Sequence, residues 1–141
     1  MTRTAPIRIA ESVEIAADTL FGPALADPHI QAQLLGEALQ TADVGFLVWD
    51  EDRRYIAANG AACEILGTSL ADLLGQPVGG HTVDPDVDRL IDTAVRSKFV
   101  YGTAQVERFD GTGKVDVFYA TFTTHSAGMP FMATVIGRLP G

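Results

Sequence analysis

Only one cysteine, Cys63, occurs in the 141 residues, so the chain can form neither an intramolecular disulfide nor a cysteine-built metal site. Positive charge is also scarce: ten Lys and Arg stand against eighteen Asp and Glu, a net charge of −8. The cations are scattered, the densest group being Arg89, Arg96 and Lys98. Nucleic-acid binding needs a basic stripe that displaces phosphate counterions, and anionic membranes attract the same kind of patch. The expectation is therefore no nucleic-acid and no membrane partner. Internal repeats and low-complexity segments are absent. The N-terminus lacks the continuous apolar segment of a secretory leader. One long uncharged stretch, Val117 to Gly137, is broken by four threonines, His125, Ser126, Gly128 and Pro130, and reads as two strands and a turn rather than a membrane span. A soluble cytoplasmic protein is expected.

What is present suits one globular core: 47% apolar and 20% charged residues. Ile9, Val13, Ala16, Ala17 and Leu20 recur at helical spacing, and Gly22-Pro23 would end that helix. Asp27-Pro28 opens a second helix, with aspartate as N-cap, whose stripe is Ile30, Leu34, Leu35, Ala38 and Ala42. Residues 1–43 thus read as a helical extension and 44–141 as the main domain. Val44 to Trp49 and Arg54 to Ala58 read as a β-hairpin around the turn Asp50–Arg53. Asn59 caps a short helix closed by Gly67, and Ser69 opens another helical turn. Gln76 to Val83 is a loop. Asp84-Pro85 repeats the cap-and-proline device before a helix carrying Val87, Leu90, Ile91, Ala94 and Val95. Strands follow at Phe99–Phe109, Lys114–Thr124 and Pro130–Arg138. Strands at both ends with helices between them fit an α+β fold: one antiparallel sheet with helices on one face.

In this arrangement the sequence resembles the PAS domain family over roughly Leu35 to Arg138. The carrying residues are Gly45-Phe-Leu-Val-Trp-Asp50, Tyr55-Ile-Ala-Ala-Asn59, Ala61 to Gly67 ending in Leu66-Gly67, Leu73-Leu74-Gly75, Asp84-Pro85-Asp86 and Phe109-Asp110-Gly111. The resemblance implies a five-stranded antiparallel sheet in order 2-1-5-4-3, with flanking short helices and a pocket between helices and sheet. It implies a non-enzymatic sensory or signalling module that binds a small ligand or a protein partner. The family often exits through a signalling helix after "asp-ile-thr"; here the strand ends Ile136-Gly-Arg-Leu-Pro-Gly141, so action in trans, or membership of a longer protein, is expected.

Asp50, Asn59 and Gly67 read as structural: turn acceptor, N-cap and C-cap. The expected pocket residues are Trp49, Leu66, His81, Leu90, Ala94, Tyr101 and Phe122, with His81 and Tyr101 supplying polar tips. The cofactor is unknown. Haem-binding relatives place a histidine on the long helix, which has none here, so His81 would have to ligate from the preceding loop. Cys63 lacks the motif of the flavin-binding photosensory members and reads as a small buried thiol. Asp84, Asp86 and Asp88 start like a calcium loop, but Arg89 and Val95 stand where glycine and glutamate are needed. The alternatives are a haem- or other cofactor-binding sensor, a structural dimerisation domain without ligand, and a small cone-fold isomerase-like enzyme using His81 and Asp84. Phe118, Ala120 and Phe122 share one face of a central strand; Val117, Tyr119 and Thr121 share the other. Both being apolar, one face is expected to meet the domain's own helices. The other is expected to meet the N-terminal helices, a second copy, or both, giving a homodimer.

Overall fold

The computed structural model describes residues 7–9, 13–15 and 23–140. The chain divides into two units, Met1–Thr41 and Ala42–Gly141. In the first, β1 (Ile7–Ile9) and β2 (Val13–Ile15) form a two-stranded antiparallel ladder. This corrects the helix expected from Ile9 onward. Ile7, Ile9, Val13 and Ile15 also alternate with period two, and β-branched residues favour the strand. Ala16, Ala17, Leu20 and Gly22 lie outside the described residues. A single 3-10 turn, Pro23–Ala26, precedes α1 (Pro28–Thr41). Asp27 starts α1, its carboxylate accepting the His29 N–H at 2.8 Å and its carbonyl the Gln31 N–H at 3.0 Å.

The second unit holds β3 (Gly45–Trp49), β4 (Tyr55–Ala58), α2 (Gly60–Leu66), α3 (Leu70–Leu73), α4 (Val87–Ser97), β5 (Phe99–Glu107), β6 (Lys114–Ser126) and β7 (Met129–Arg138). Its five strands pair antiparallel throughout in the order β4-β3-β7-β6-β5, which is the expected 2-1-5-4-3. The uncharged stretch is the β6–β7 hairpin. None of the described helices is long and apolar enough to cross a membrane.

Period two sorts the sheet residues. On β3, Gly45, Leu47 and Trp49 are buried. Leu47, Val117, Ile136 and Val106 pack with Ala62, Ile65, Leu66 and Leu73 into one core cluster. Trp49 and Met132 pack with Ile91 and Ala94 into a second. α2 sits so close to β3 that a Cβ on Gly45 would lie 2.6 Å from Ile136 Cγ1 and 3.0 Å from Ala62 Cα. Only glycine allows that approach.

Asn59 holds this junction. Its Oδ1 accepts the Phe46 N–H at 2.9 Å and the Ala62 N–H at 3.0 Å, and its Nδ2 donates to the Val44 carbonyl at 3.0 Å. It therefore caps α2 and pins the start of β3, while only 4% exposed. Asp50 ties the β3–β4 turn, its Oδ1 accepting from the Asp52 and Arg54 backbones at 3.0 and 3.1 Å. Gly67 ends α2 at φ +72°. Arg108 then covers that helix end. Its Nη1 donates to the Glu64 and Ile65 carbonyls, both at 3.0 Å, and the Phe109 N–H reaches the Leu66 carbonyl at 2.8 Å. Arg108 also grips the β5–β6 turn through Thr112 and Asp110. The Thr112 hydroxyl and backbone N–H, both donating to Asp110 Oδ1, and then Arg108 hold the Asp110 carboxyl down at about 2.

Two boundaries differ from the sequence reading. α4 begins at Val87, not at Pro85, because the Asp84 carboxylate accepts the Asp86 N–H at 2.7 Å and closes a turn there. β4 carries a bulge. Val48 pairs with Ala57 but Trp49 pairs with Tyr55, leaving Ile56 extra. The added residue reverses the parity of the strand, so Tyr55 shares the inner face with Trp49 and Ile56 turns outward.

Replacing Asn59 by Ala should lower unfolding stability by roughly 2–4 kcal/mol, the sum of a lost cap and stranded backbone groups. Chemical denaturation measures it, and a loss under ~1 kcal/mol would deny Asn59 this role. The β6–β7 turn places Ala127 at φ +51° beside Gly128 at φ +77°. Ala127→Asn should raise stability by ~1 kcal/mol, because asparagine tolerates the left-handed region better than alanine. An unchanged denaturation midpoint would contradict the strain.

Candidate ligand cavity

The face of the sheet that carries Trp49 and Val117 does not close completely against the helices. A cavity of about 120 Å³ remains between the sheet, α2, α4 and the segment that joins α3 to α4. Leu47, Trp49 and Tyr55 form its hairpin side; Val117, Tyr119, Thr121, Thr134 and Ile136 form the floor from β6 and β7. Val87, Leu90, Ile91 and Ala94 of α4 form the roof, and Val100, Ala104 and Val106 of β5 the far wall. Leu66 and Phe109 close one end.

The segment from Gly75 to Val83 lies across this space as a strap. At one end it pairs with the edge of β4: the Tyr55 N–H donates to the Gln76 carbonyl at 3.1 Å, and the Val78 N–H to the Arg53 carbonyl at 2.8 Å. At the other end it pairs with the edge of β5: the Val83 N–H reaches Gln105 and the Glu107 N–H reaches His81, both at 2.8 Å. Midway, Gly79 has φ +81°, and a Cβ there would stand 2.8 Å from Ile91 and Val87 side-chain carbons. The strap can press onto α4 only because that position has no side chain. Sequence reasoning saw a loop here. The pairing of its ends to two distant strand edges has no local signature.

Of the expected pocket residues, Trp49, Leu66, His81, Leu90 and Ala94 all line the cavity. Tyr101 and Phe122 do not. Tyr101 is 77% exposed, and its cross-strand partner is Ala120, on the outer face of the sheet with Phe122. Phe122 meets Phe46 edge-on at 6.4 Å on that same face. The correction is one of parity. Both sheet faces are apolar, so alternation alone cannot say which turns inward. The polar wall groups that the sequence reading missed are Tyr55, brought in by the bulge, and the threonines Thr121 and Thr134. The Trp49 Nε1–H donates to Thr134 Oγ1 at 2.9 Å, and Thr134 Oγ1 lies 2.9 Å from Thr121 Oγ1.

His81 lies flat on Phe109, the ring centroids 3.7 Å apart and the planes at 11°. It is the one histidine on the wall, and the cavity of about 120 Å³ is a fraction of a macrocycle's volume. The residues do not fit haem. Cys63 packs beside the core cluster rather than on the cavity wall, and burial pushes its thiol up from its ordinary value. Nor does the wall fit a tricyclic flavin ring. Asp84 is not on the wall, so the cavity does not present His81 and Asp84 together as an acid–base pair. Among the described residues no cluster of three His, Cys, Asp or Glu could hold a metal ion.

A family model described as the PAS fold matches residues 33–122. The chain belongs to the PAS family. The PAS domain of a Colwellia psychrerythraea protein superposes with a TM-score of 0.68 at 16% identity, covering 77% of this chain and 97% of that one. The PAS domain of an HTR-like protein from Haloarcula marismortui gives 0.67 at 15%, covering 79% and 93%. An RNA-binding light-oxygen-voltage receptor gives 0.67 at 18%, covering 98% of this chain and 39% of that one. At these identities the likeness is one of fold. No curated protein matches the chain. PAS domains are generally sensory modules, and the cavity lies where this PAS sheet meets its helices.

Burial pushes the Tyr55 phenol up from 10.0 to about 12, with a hydrogen bond to the Gly79 backbone opposing part of the rise. The folded value lies above the unfolded one. The neutral phenol's contribution to stability is therefore intact below about 10 and is lost as pH rises toward about 12. In a spectrophotometric titration one tyrosine should ionise later than the others, and Tyr55→Phe should abolish that late step and flatten the alkaline loss of stability. A titration in which all tyrosines ionise together would overturn it.

Proposed function

We propose that this PAS domain is a non-enzymatic sensory module that binds a small apolar molecule in the cavity and pairs with a second copy through the outer face of its sheet. The observation that carries the ligand reading is the cavity itself: apolar, walled by the inner sheet face, and covered by a strap whose ends are hydrogen-bonded to both sheet edges. Its volume is below the roughly 300–1,000 Å³ of drug-sized sites, yet near the ~150 Å³ that accepts a benzene-sized guest. That modest size also supports a second reading, an interaction domain with an essentially filled core.

Support for pairing comes from the outer face. Phe99, Tyr101 and Phe118 are 55%, 77% and 40% exposed there, and Phe46, Ala120, Phe122 and Val135 lie among them. None of these is charged. The charged residues of that face, Glu107, Lys114 and Asp116, lie at its far end, and an acidic chain pairs best through the stretch without carboxylates. The light-oxygen-voltage receptor that this chain resembles in fold binds RNA. The net charge of −8 speaks against carrying that activity over.

Native mass spectrometry of the protein as purified tests both parts. A dimer with bound extra mass is the expected result, and Phe118→Glu should yield monomers of unchanged circular dichroism. A dimer without extra mass, even after incubation with small neutral ring compounds, would favour the interaction-domain reading. A monomer at high micromolar concentration would overturn the pairing.

A further inference from the structure

The cavity's own chemistry narrows what it can take. Trp49, Thr134 and Thr121 form a chain along its floor, indole N–H to Thr134 Oγ1 at 2.9 Å and Thr134 Oγ1 to Thr121 Oγ1 at 2.9 Å. Each threonine hydroxyl carries one hydrogen. One of the two lies between the oxygens. The other is left over, whichever threonine donates. The indole hydrogen cannot take up the surplus, because it too is a donor. Every oxygen in the trio has a partner, yet the leftover hydroxyl hydrogen has no acceptor among the three side chains. Thr121 is only 5% exposed, and it and Thr134 both line the cavity. A buried donor without an acceptor is costly, and a guest with an acceptor oxygen relieves it.

The rest of the wall bears on charge. No carboxylate, ammonium or guanidinium is among the lining residues; the titratable side chains there are His81, Tyr55 and Tyr119. Tyr55 is a neutral phenol at neutral pH, as any phenol is, and burial disfavours its phenolate further. A charged guest would shed its hydration and meet no counter-charge. Apart from Thr82 and the Gly79-Gly80 backbone, the remaining wall is aliphatic and aromatic.

Building on the ligand-binding reading above, we propose that the cavity takes a neutral, largely apolar molecule about the size of one six-membered ring, whose single acceptor oxygen receives the spare hydroxyl hydrogen of the Thr121–Thr134 pair. The acceptor sets the guest's orientation, and the apolar ring fills the space beneath α4.

Three probes of equal size separate the elements of this proposal: cyclohexanone, methylenecyclohexane and the cyclohexylammonium ion. Trp49 is the single tryptophan, so its indole N–H gives one NMR cross-peak that sits in the hydroxyl chain. Cyclohexanone should move that peak saturably and bind about five- to tenfold more tightly than methylenecyclohexane, the difference one hydrogen bond makes. Cyclohexylammonium should leave it unmoved over the same range. Ala104→Leu and Ala94→Leu, each checked for folding by circular dichroism, should fill the cavity and abolish the shift. Equal binding of ketone and alkene would overturn the hydroxyl's role while the pocket stood. Equal binding of the cation would overturn the neutrality. Binding that survives in a folded, filled variant would place the site elsewhere. A peak that no probe moves would overturn the ligand-binding reading itself.

Discussion

A buried amide at Asn59 organises the domain. Strand β3 and helix α2 are neighbours in space with very different backbone geometry, and each has a terminus with unpaired polar groups. One carboxamide answers both: its oxygen takes an N–H from β3 and one from the first turn of α2, and its nitrogen donates to the carbonyl just before β3. With that corner set, Gly45 lets α2 lie against the sheet, and Leu47 and Trp49 enter the core beneath it. Arg108 does the matching work at the other end of α2, bonding its last carbonyls to the β5–β6 turn. A helix of only seven residues is short to persist alone and is held here at both ends by its surroundings.

The cavity is a by-product of how the long helix approaches the sheet. α2 packs tightly on β3, whereas α4 stands over β5 and β6 with the strap wedged between it and the hairpin. The bulge in β4 adds an aromatic hydroxyl to the wall by reversing the strand's parity for one step.

What could be read from the sequence followed the range of the interactions involved. Asp50, Gly67 and the Asn59 cap on Ala62 act on backbone within a few residues, so turn and cap chemistry identified them, whereas the Asn59 bonds to Phe46 and Val44 span a hairpin and have no local signal. Strand order followed through the family likeness, and the inward residues Trp49, Leu66, Leu90 and Ala94 followed with it. Tyr101 was misassigned because two apolar faces give one alternating pattern with two solutions. Tyr55 was missed because its face is set by a bulge that has no local signature. In the first segment the same β-branched residues satisfied helical and strand spacing alike, and the ladder β1–β2 is the outcome in the described residues. The start of α4 moved because Asp84 spends its carboxylate on a local turn.

The strap has a role beyond covering the cavity. An open five-stranded sheet ends in two bare edges, and bare edges recruit foreign strands. Residues 75–83 supply backbone partners to both, at Arg53 and Tyr55 on one side and at Gln105 and Glu107 on the other. One segment therefore acts as lid and as edge guard. Any motion that lifts it far enough to exchange the cavity's contents unpairs the two rims of the sheet together. Resistance to edge-to-edge aggregation and access to the interior are then one mechanical property of the chain, set by the same few amide bonds.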